Sequence, residues 1–190
     1  MSRNNLVVIG VSTGGPLTLK ALFAGLPPLN AAFLVVLHIT PQMDYRIAQG
    51  LAGVASMPVV LAQDGQYLRS GNIYLAPGGF HLKLDGNQRV VLCEGARVNY
   101  VQPAVDVTML SLTRQLSGAM IGIVLTGMGK DGAEGIRHIK QMGGVTMAQD
   151  QQSSTIYGMP KAAVQTGAVD FVLPPNRIAG KLVELLEAIT

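Results

Sequence analysis

Hydrophobic positions along the chain gather into short, nearly unbroken runs: Leu6–Ile9, Phe33–Leu37, Val59–Leu61, Met120–Leu125 and Val145–Ala148. Runs of this length without polar alternation suit strands buried on both faces, as in a parallel sheet. Helical spacing appears between them. Leu17, Ala21, Leu22 and Ala24 are predicted to share one face. So are Met109, Leu112 and Leu116, then Ile136, Ile139 and Met142, and finally Ile178, Leu182, Leu185, Leu186 and Ile189. Strands alternating with helices, joined by right-handed crossovers, predict a doubly wound α/β fold: a mostly parallel, Rossmann-like sheet flanked by helices. One stretch breaks the rhythm. His81–Leu84 and Arg89–Leu92 flank Asp85-Gly86-Asn87-Gln88, which predicts an antiparallel β-hairpin at the sheet edge. With no repeat and no low-complexity linker, residues 1–190 read as a single domain.

Composition narrows the function classes. Hydrophobic residues are 48% and charged residues 13% of 190, which excludes a disordered chain. The net charge of +3 is mildly basic. Without a Lys/Arg run, and with aromatics at 5%, it does not suggest a nucleic-acid partner. A lone cysteine, Cys93, excludes an internal disulfide and a cysteine-based zinc site. The longest apolar run, Ala31–Leu37, is far short of the roughly 20 residues that span a bilayer. The N-terminus lacks the form of a signal peptide. A cytoplasmic protein is expected, without membrane insertion, and its mean hydropathy of +0.35 is assigned to a deeply buried sheet.

Functional groups of an open parallel sheet collect beyond the C-terminal ends of its strands. The first apolar run ends in Gly10-Val11-Ser12-Thr13-Gly14-Gly15-Pro16, and the second in Leu37-His38. The run at 120–125 ends in Thr126-Gly127-Met128-Gly129-Lys130-Asp131-Gly132. Ser12, His38 and Asp131 thus fall on one sheet edge. They are the types needed for a nucleophile, a general base and a residue that orients the base. Gly10-x-Ser12-x-Gly14 matches a nucleophile elbow, and Pro16 suits the first turn of a helix aimed at the site. The backbone N–H of Met128 is placed to complete an oxyanion hole. Simpler roles stay open. Ser12 also suits a helix N-cap or an anion-binding loop, although the dinucleotide and P-loop glycine patterns are absent. Asp131 also suits an N-cap for a helix starting near Gly132, and it competes with Asp44, Asp64, Asp106 and Asp150. His81 reads as structural and His138 as exposed. Three histidines without acidic neighbours at ligand spacing point to no metal, and nothing points to a cofactor. The order Ser…His…Asp differs from that of the α/β-hydrolases.

Taken together, these motifs resemble the catalytic domain of the chemotaxis protein-glutamate methylesterases, the CheB family. The resemblance runs through IGVSTGGP at 9–16, IYLAPGGFHL at 73–82, VLTGMGKDGAEG at 124–135, AQDQQSSTIYGMPKAA at 148–163 and AVDFVLP at 168–174. It implies Ser12 as nucleophile, His38 as base, Asp131 as the orienting residue, and Thr13 and Met128 as oxyanion-hole contributors. It implies hydrolysis of γ-glutamyl methyl esters on the methylated cytoplasmic helical bundle of chemoreceptors, with methanol released, and deamidation of some receptor glutamines. No cofactor or metal is implied. The chain departs from the family pattern at Ile39-Thr40, Met43, Gly50-Leu51 and Gln102-Pro103-Ala104. These departures bear on substrate preference. A receiver domain often precedes such a domain; here the first strand starts at residue 6, so none is expected in this chain, which is then either a fragment or a stand-alone hydrolase controlled otherwise, for example by a receiver or other regulator in trans. Two alternatives remain: the same chemistry on another methylated protein, or a catalytically silent interaction module.

Overall fold

The computed structural model describes residues 4–114 and 118–187. The elements, in chain order, are β1 (Asn5–Val11), α1 (Gly15–Ala24), β2 (Ala31–Leu37), α2 (Asp44–Ala52), β3 (Val59–Leu61), β4 (Asn72–Leu75), β5 (His81–Leu84) and β6 (Val90–Cys93). They continue with α3 (Val105–Leu110), β7 (Met120–Val124), α4 (Ala133–Gln141), β8 (Val145–Gln149), α5 (Met159–Gln165), β9 (Phe171–Leu173) and α6 (Pro175–Glu187). Seven strands form one parallel sheet in the order β3-β4-β2-β1-β7-β8-β9. This is the predicted doubly wound α/β sheet. From β1 the chain passes to β2 and then to the edge strand β3, β4 fills the place between β2 and β3, and the chain returns to add β7, β8 and β9 on the other side of β1. The crevice at such a switch point opens at the C-terminal end of β1.

Alternate residues of the strands feed two core layers. Val7, Ile9, Phe33 and Val35 pack with Leu19, Leu22, Phe23, Leu51, Ile178 and Leu182, beneath α1, α2 and α6. Leu6, Val8, Leu34 and Val124 pack with Met109, Ile136, Ile139 and Met159, beneath α3, α4 and α5. Each fully buried aliphatic side chain is worth about 1.5–3 kcal/mol relative to exposure. This two-sided demand explains why β1 and β2 read as unbroken apolar runs.

Three expectations are corrected. The predicted apolar face of α1 is out of phase: Leu17 is 77% exposed, and Ala21 and Ala24 are exposed as well. Thr18, Leu19, Leu22 and Phe23 face the sheet instead, because the Phe23 ring packs edge-on against Phe33 of β2 at 5.9 Å. The hairpin forms, with β5 and β6 antiparallel, but as a separate two-stranded sheet and not as an extension of the main one. Its Leu82, Leu84 and Val90 bury against α3, while Asp85 Oδ1 accepts from the N–H groups of Asn87 and Arg89 to close the turn. His138 is half-buried, not exposed, and its Nε2 donates to the Leu112 carbonyl at 2.8 Å. The expectations for Leu116 and Ile189 lie outside the described residues.

Candidate active site

The site is assembled from the loops that leave β1, β2 and β7. Parallel pairing of β1 with β2 ends at Val11↔Leu37, and the His38 N–H donates to the Val11 carbonyl at 3.2 Å. Ser12 and His38 are therefore the next residues on neighbouring strands. On the other side, the Ser12 N–H donates to the Thr126 carbonyl at 2.9 Å, which ties the serine to the loop after β7.

The two glycines of the elbow do different work. A Cβ on Gly10 would lie 2.4 Å from Val105 Cγ1, so a larger residue would push α3 off the sheet. Gly14 has φ +81°, a left-handed conformation that an L side chain adopts at a cost, and a Cβ there would collide with Thr155. Gly14 is also the N-cap of α1, without any side-chain cap. Ser12 is thus not the cap of this helix.

His38 and Asp131 meet directly, with Nε2 2.7 Å from Oδ2. A carboxylate only accepts, so the ring proton sits on Nε2 and Nδ1 keeps its lone pair. Asp131 is 2% exposed. Its Oδ2 also accepts from the Val105 N–H at 2.6 Å, and its Oδ1 from the Asp106 N–H at 3.1 Å and from Asn99 Nδ2 at 2.9 Å. Burial alone would raise its pKa. The hydrogen bonds from His38, Val105, Asp106 and Asn99 outweigh burial and hold the carboxyl below its ordinary range. Asp131 does not cap the helix that follows it, whose N-cap is Gly132 with no side-chain bond. It supplies acceptors instead to the first N–H groups of α3, a distant helix.

Among the described residues, Ser12 Oγ makes no hydrogen bond, to His38 or to any other group. The structure joins the predicted base to its orienter and sets the predicted nucleophile beside the base in register. Catalytic contacts of this kind are often loose before substrate binds. The N–H groups of Thr13 and Met128 likewise donate to nothing among the described residues. Met128 is 76% exposed, so its loop faces the open side of the site. A cleft of about 280 Å³ adjoins, lined by His38, Ile39, Thr40, Arg97, Tyr100 and Gln102 among others. Among the described residues, no three His, Cys, Asp or Glu side chains are grouped to hold a metal ion.

Three of the four supporting residues were not singled out by sequence reasoning, and the fourth, Asp106, entered only as a rival to Asp131. Asn99 and Asp106 sit behind Asp131. Thr126 and Gln149 sit behind Ser12: Thr126 Oγ1 donates to the Thr13 carbonyl at 2.9 Å and accepts from the Ile156 N–H at 3.0 Å. Gln149 Oε1 accepts from the Thr126 N–H at 2.8 Å, while its Nε2 donates to Ser153. The loop of 150–158 is thereby laced to the loop that carries Ser12. His81 is buried and structural. Its Nδ1 accepts from the Ala104 N–H and its Nε2 donates to the Ala96 carbonyl, which clamps both ends of the segment carrying Asn99.

Comparison with known proteins agrees with this architecture. Residues 7–182 match the family described as CheB methylesterase. Proteins named protein-glutamate methylesterase/protein-glutamine glutaminase from Pyrococcus horikoshii and Thermotoga maritima are each 38% identical, over 187 and 185 residues. The alignments cover 96% and 95% of this chain, and 51% and 54% of those proteins. The chain thus spans about half the length of the curated relatives it matches. The crystal structure of the Thermotoga maritima CheB methylesterase catalytic domain superposes with a TM-score of 0.91 at 38% identity, covering 96% of this chain and 98% of that one. A family match along most of the chain, together with the same fold over nearly every residue, establishes that this chain belongs to the CheB methylesterase family.

Proposed function

We propose that this chain is a single catalytic domain that hydrolyses γ-glutamyl methyl esters on the cytoplasmic helical bundle of chemoreceptors. Glutamine side chains are deamidated by the same route. The observation that carries this reading is the His38–Asp131 hydrogen bond, formed on the strand next to Ser12 and in register with it, at the switch point of a CheB-family sheet.

The chemistry follows from those positions. Ser12 Oγ attacks the ester carbonyl carbon while His38 Nδ1 takes its proton. The oxyanion is met by the free N–H groups of Thr13 and Met128. Asp131 holds the Nε2–H tautomer and stabilises the imidazolium. The bond to the methoxy oxygen then breaks, His38 returns the proton, and methanol leaves. Water attacks the acyl-enzyme, His38 takes a proton from it and gives it to Ser12 Oγ, and free glutamate is released. With glutamine, the first leaving group is ammonia.

The test compares methanol release from methyl-labelled receptor membranes by the wild type and by Ser12→Ala. Release that falls by several powers of ten in a folded variant is the expected result. Equal release from both proteins would remove Ser12 from the chemistry. A second reading, the same hydrolysis on another methylated protein, is favoured by one observation. Ile39, Thr40 and Gln102, which depart from the family pattern, line the cleft beside His38. Activity on small methyl esters without activity on receptors would select it.

A further inference from the structure

Behind Asp131 lies a second buried acid that the triad chemistry does not use. Asp106, in the first turn of α3, is 6% exposed. Its Oδ1 accepts from the Gly135 N–H at 2.8 Å, in the first turn of α4. The two acids thus cap each other's helices: Asp131, before α4, serves α3, and Asp106, within α3, serves α4. This arrangement brings two buried carboxylates together. Asn99 Nδ2 lies 2.9 Å from Asp106 Oδ2 and 2.9 Å from Asp131 Oδ1. A primary amide nitrogen carries two hydrogens, one for each carboxylate, and two acceptors can share only a donor. The backbone is shaped for this contact. Val98 and Val101 exchange both N–H···O bonds around Asn99 (φ 52°) and Tyr100 (φ 67°), a two-residue turn with both central residues left-handed. Such turns favour glycine at the second position. Here Tyr100 occupies it, 93% exposed, beside Arg97 on the cleft wall.

We propose that Asn99 is a positioning residue: its amide bridges Asp131 and Asp106, so that both stay ionised side by side and Asp131 keeps its alignment on His38. This rests on the methylesterase reading for its effect on rate, though not for its effect on the carboxylates. Without the bridge, two like charges would face each other in a buried site, and the pair would hold a proton more tightly. Asp106 already leans that way. Burial pushes its carboxyl up, the Gly135 N–H opposes this, and the charge of Asp131 adds to the rise. His38 is bonded to Asp131, and the charged residues adjacent in sequence, Arg97, Lys130 and Glu134, are exposed, where solvent screens them.

The test uses variants that keep the left-handed turn. Asn99→Gly removes the amide and tolerates a positive φ. Asn99→Asp keeps the shape and replaces the donor with a third acid. On a small activated methyl ester, kcat is expected to fall about tenfold in Asn99→Gly and about a hundredfold in Asn99→Asp, with KM little changed. Adding Asp106→Asn to Asn99→Gly removes one of the two facing charges and is expected to recover part of the loss. Carbon-13 NMR titration of the Asp106 and Asp131 carboxyls needs no substrate. Their protonation is expected at higher pH in Asn99→Gly than in the wild type. An Asn99→Asp variant as active as the wild type, or an unmoved carboxyl titration, would overturn the bridge. A wild type inactive on every ester would overturn the methylesterase reading instead, and the titration would still judge the bridge.

Discussion

The two halves of the site are braced by different physics. Beneath His38 the support is ionic: Asp131, Asn99 and Asp106 form a buried string with net charge, anchored on the N-termini of α3 and α4. Beneath Ser12 the support is neutral: Thr126 and Gln149 tie the loops of 12–15, 126–129 and 150–158 with hydroxyl and amide bonds. On the proposed mechanism the base must gain and lose a proton, and a fixed anion beside it stabilises the charged form. On the same proposal, Ser12 as nucleophile only needs its place held. A neutral brace fixes geometry without adding a charge that would respond to pH.

This contrast sets the order of expected effects. Asp131→Asn breaks the ionic side at its centre and should lower kcat by about four powers of ten, since the neutral amide cannot stabilise the imidazolium. Stopped assays across pH would check that the loss persists at every pH. Gly127→Ala strikes the neutral side. The new Cβ would lie 2.8 Å from Ser12 Cβ and 2.3 Å from Met159 Sδ. The methionine can swing away and the serine cannot, so a displaced nucleophile should lower the rate about a hundredfold. The shape of the pH–rate profile should be unchanged, and a shifted profile would break the comparison. Thr126→Val leaves the Thr13 carbonyl and the Ile156 N–H without their partner. It should lower stability by about 1–3 kcal/mol in denaturant melts, again with an unchanged pH profile.

Asp106→Asn should have the smallest effect, and its sign sharpens the contrast. The folded state raises the Asp106 pKa, so ionising this group in the fold costs stability as pH rises above the ordinary carboxyl range. Asp131 has the opposite sign. Its lowered pKa gives stability that is complete above that range and lost as pH falls through the folded value. The Asp106→Asn protein should therefore melt at a higher temperature than the wild type at pH 8, with the gap closing as pH falls towards 4. A gap that widened on acidification would contradict the direction given to Asp106.

These supports differed in how visible they were in the sequence. Ser12 and His38 were legible because each directly follows a strand that must be apolar on both faces. Asp131 was legible from the glycine-rich loop after β7. Asn99 and Asp106 were not, because their partnership with Asp131 spans 32 and 25 residues and joins a loop, a helix start and another helix start. The turn holding Asn99 carries tyrosine where such turns favour glycine, so its usual signal is missing. Strands β4 and β9, no shorter than strands that were legible, were missed because β4 opens on polar Asn72 and runs into Pro77-Gly78-Gly79, while β9 lies between Asp170 and Pro174-Pro175. The α1 face was misplaced because leucine and alanine spacing fits two phases, and only the contact of Phe23 with Phe33 selects one.

If the proposed mechanism holds, Asp131 has two jobs, and they bear on how such a catalyst could decay. Any change there disturbs His38 and also strips acceptors from the Val105 and Asp106 N–H groups at the head of α3. Ser12 carries no such burden, since its hydroxyl bonds to nothing among the described residues. A lineage that abandoned hydrolysis but kept the domain as a scaffold would therefore shed the serine first. The aspartate would remain, a relic of catalysis preserved by the fold that depends on it.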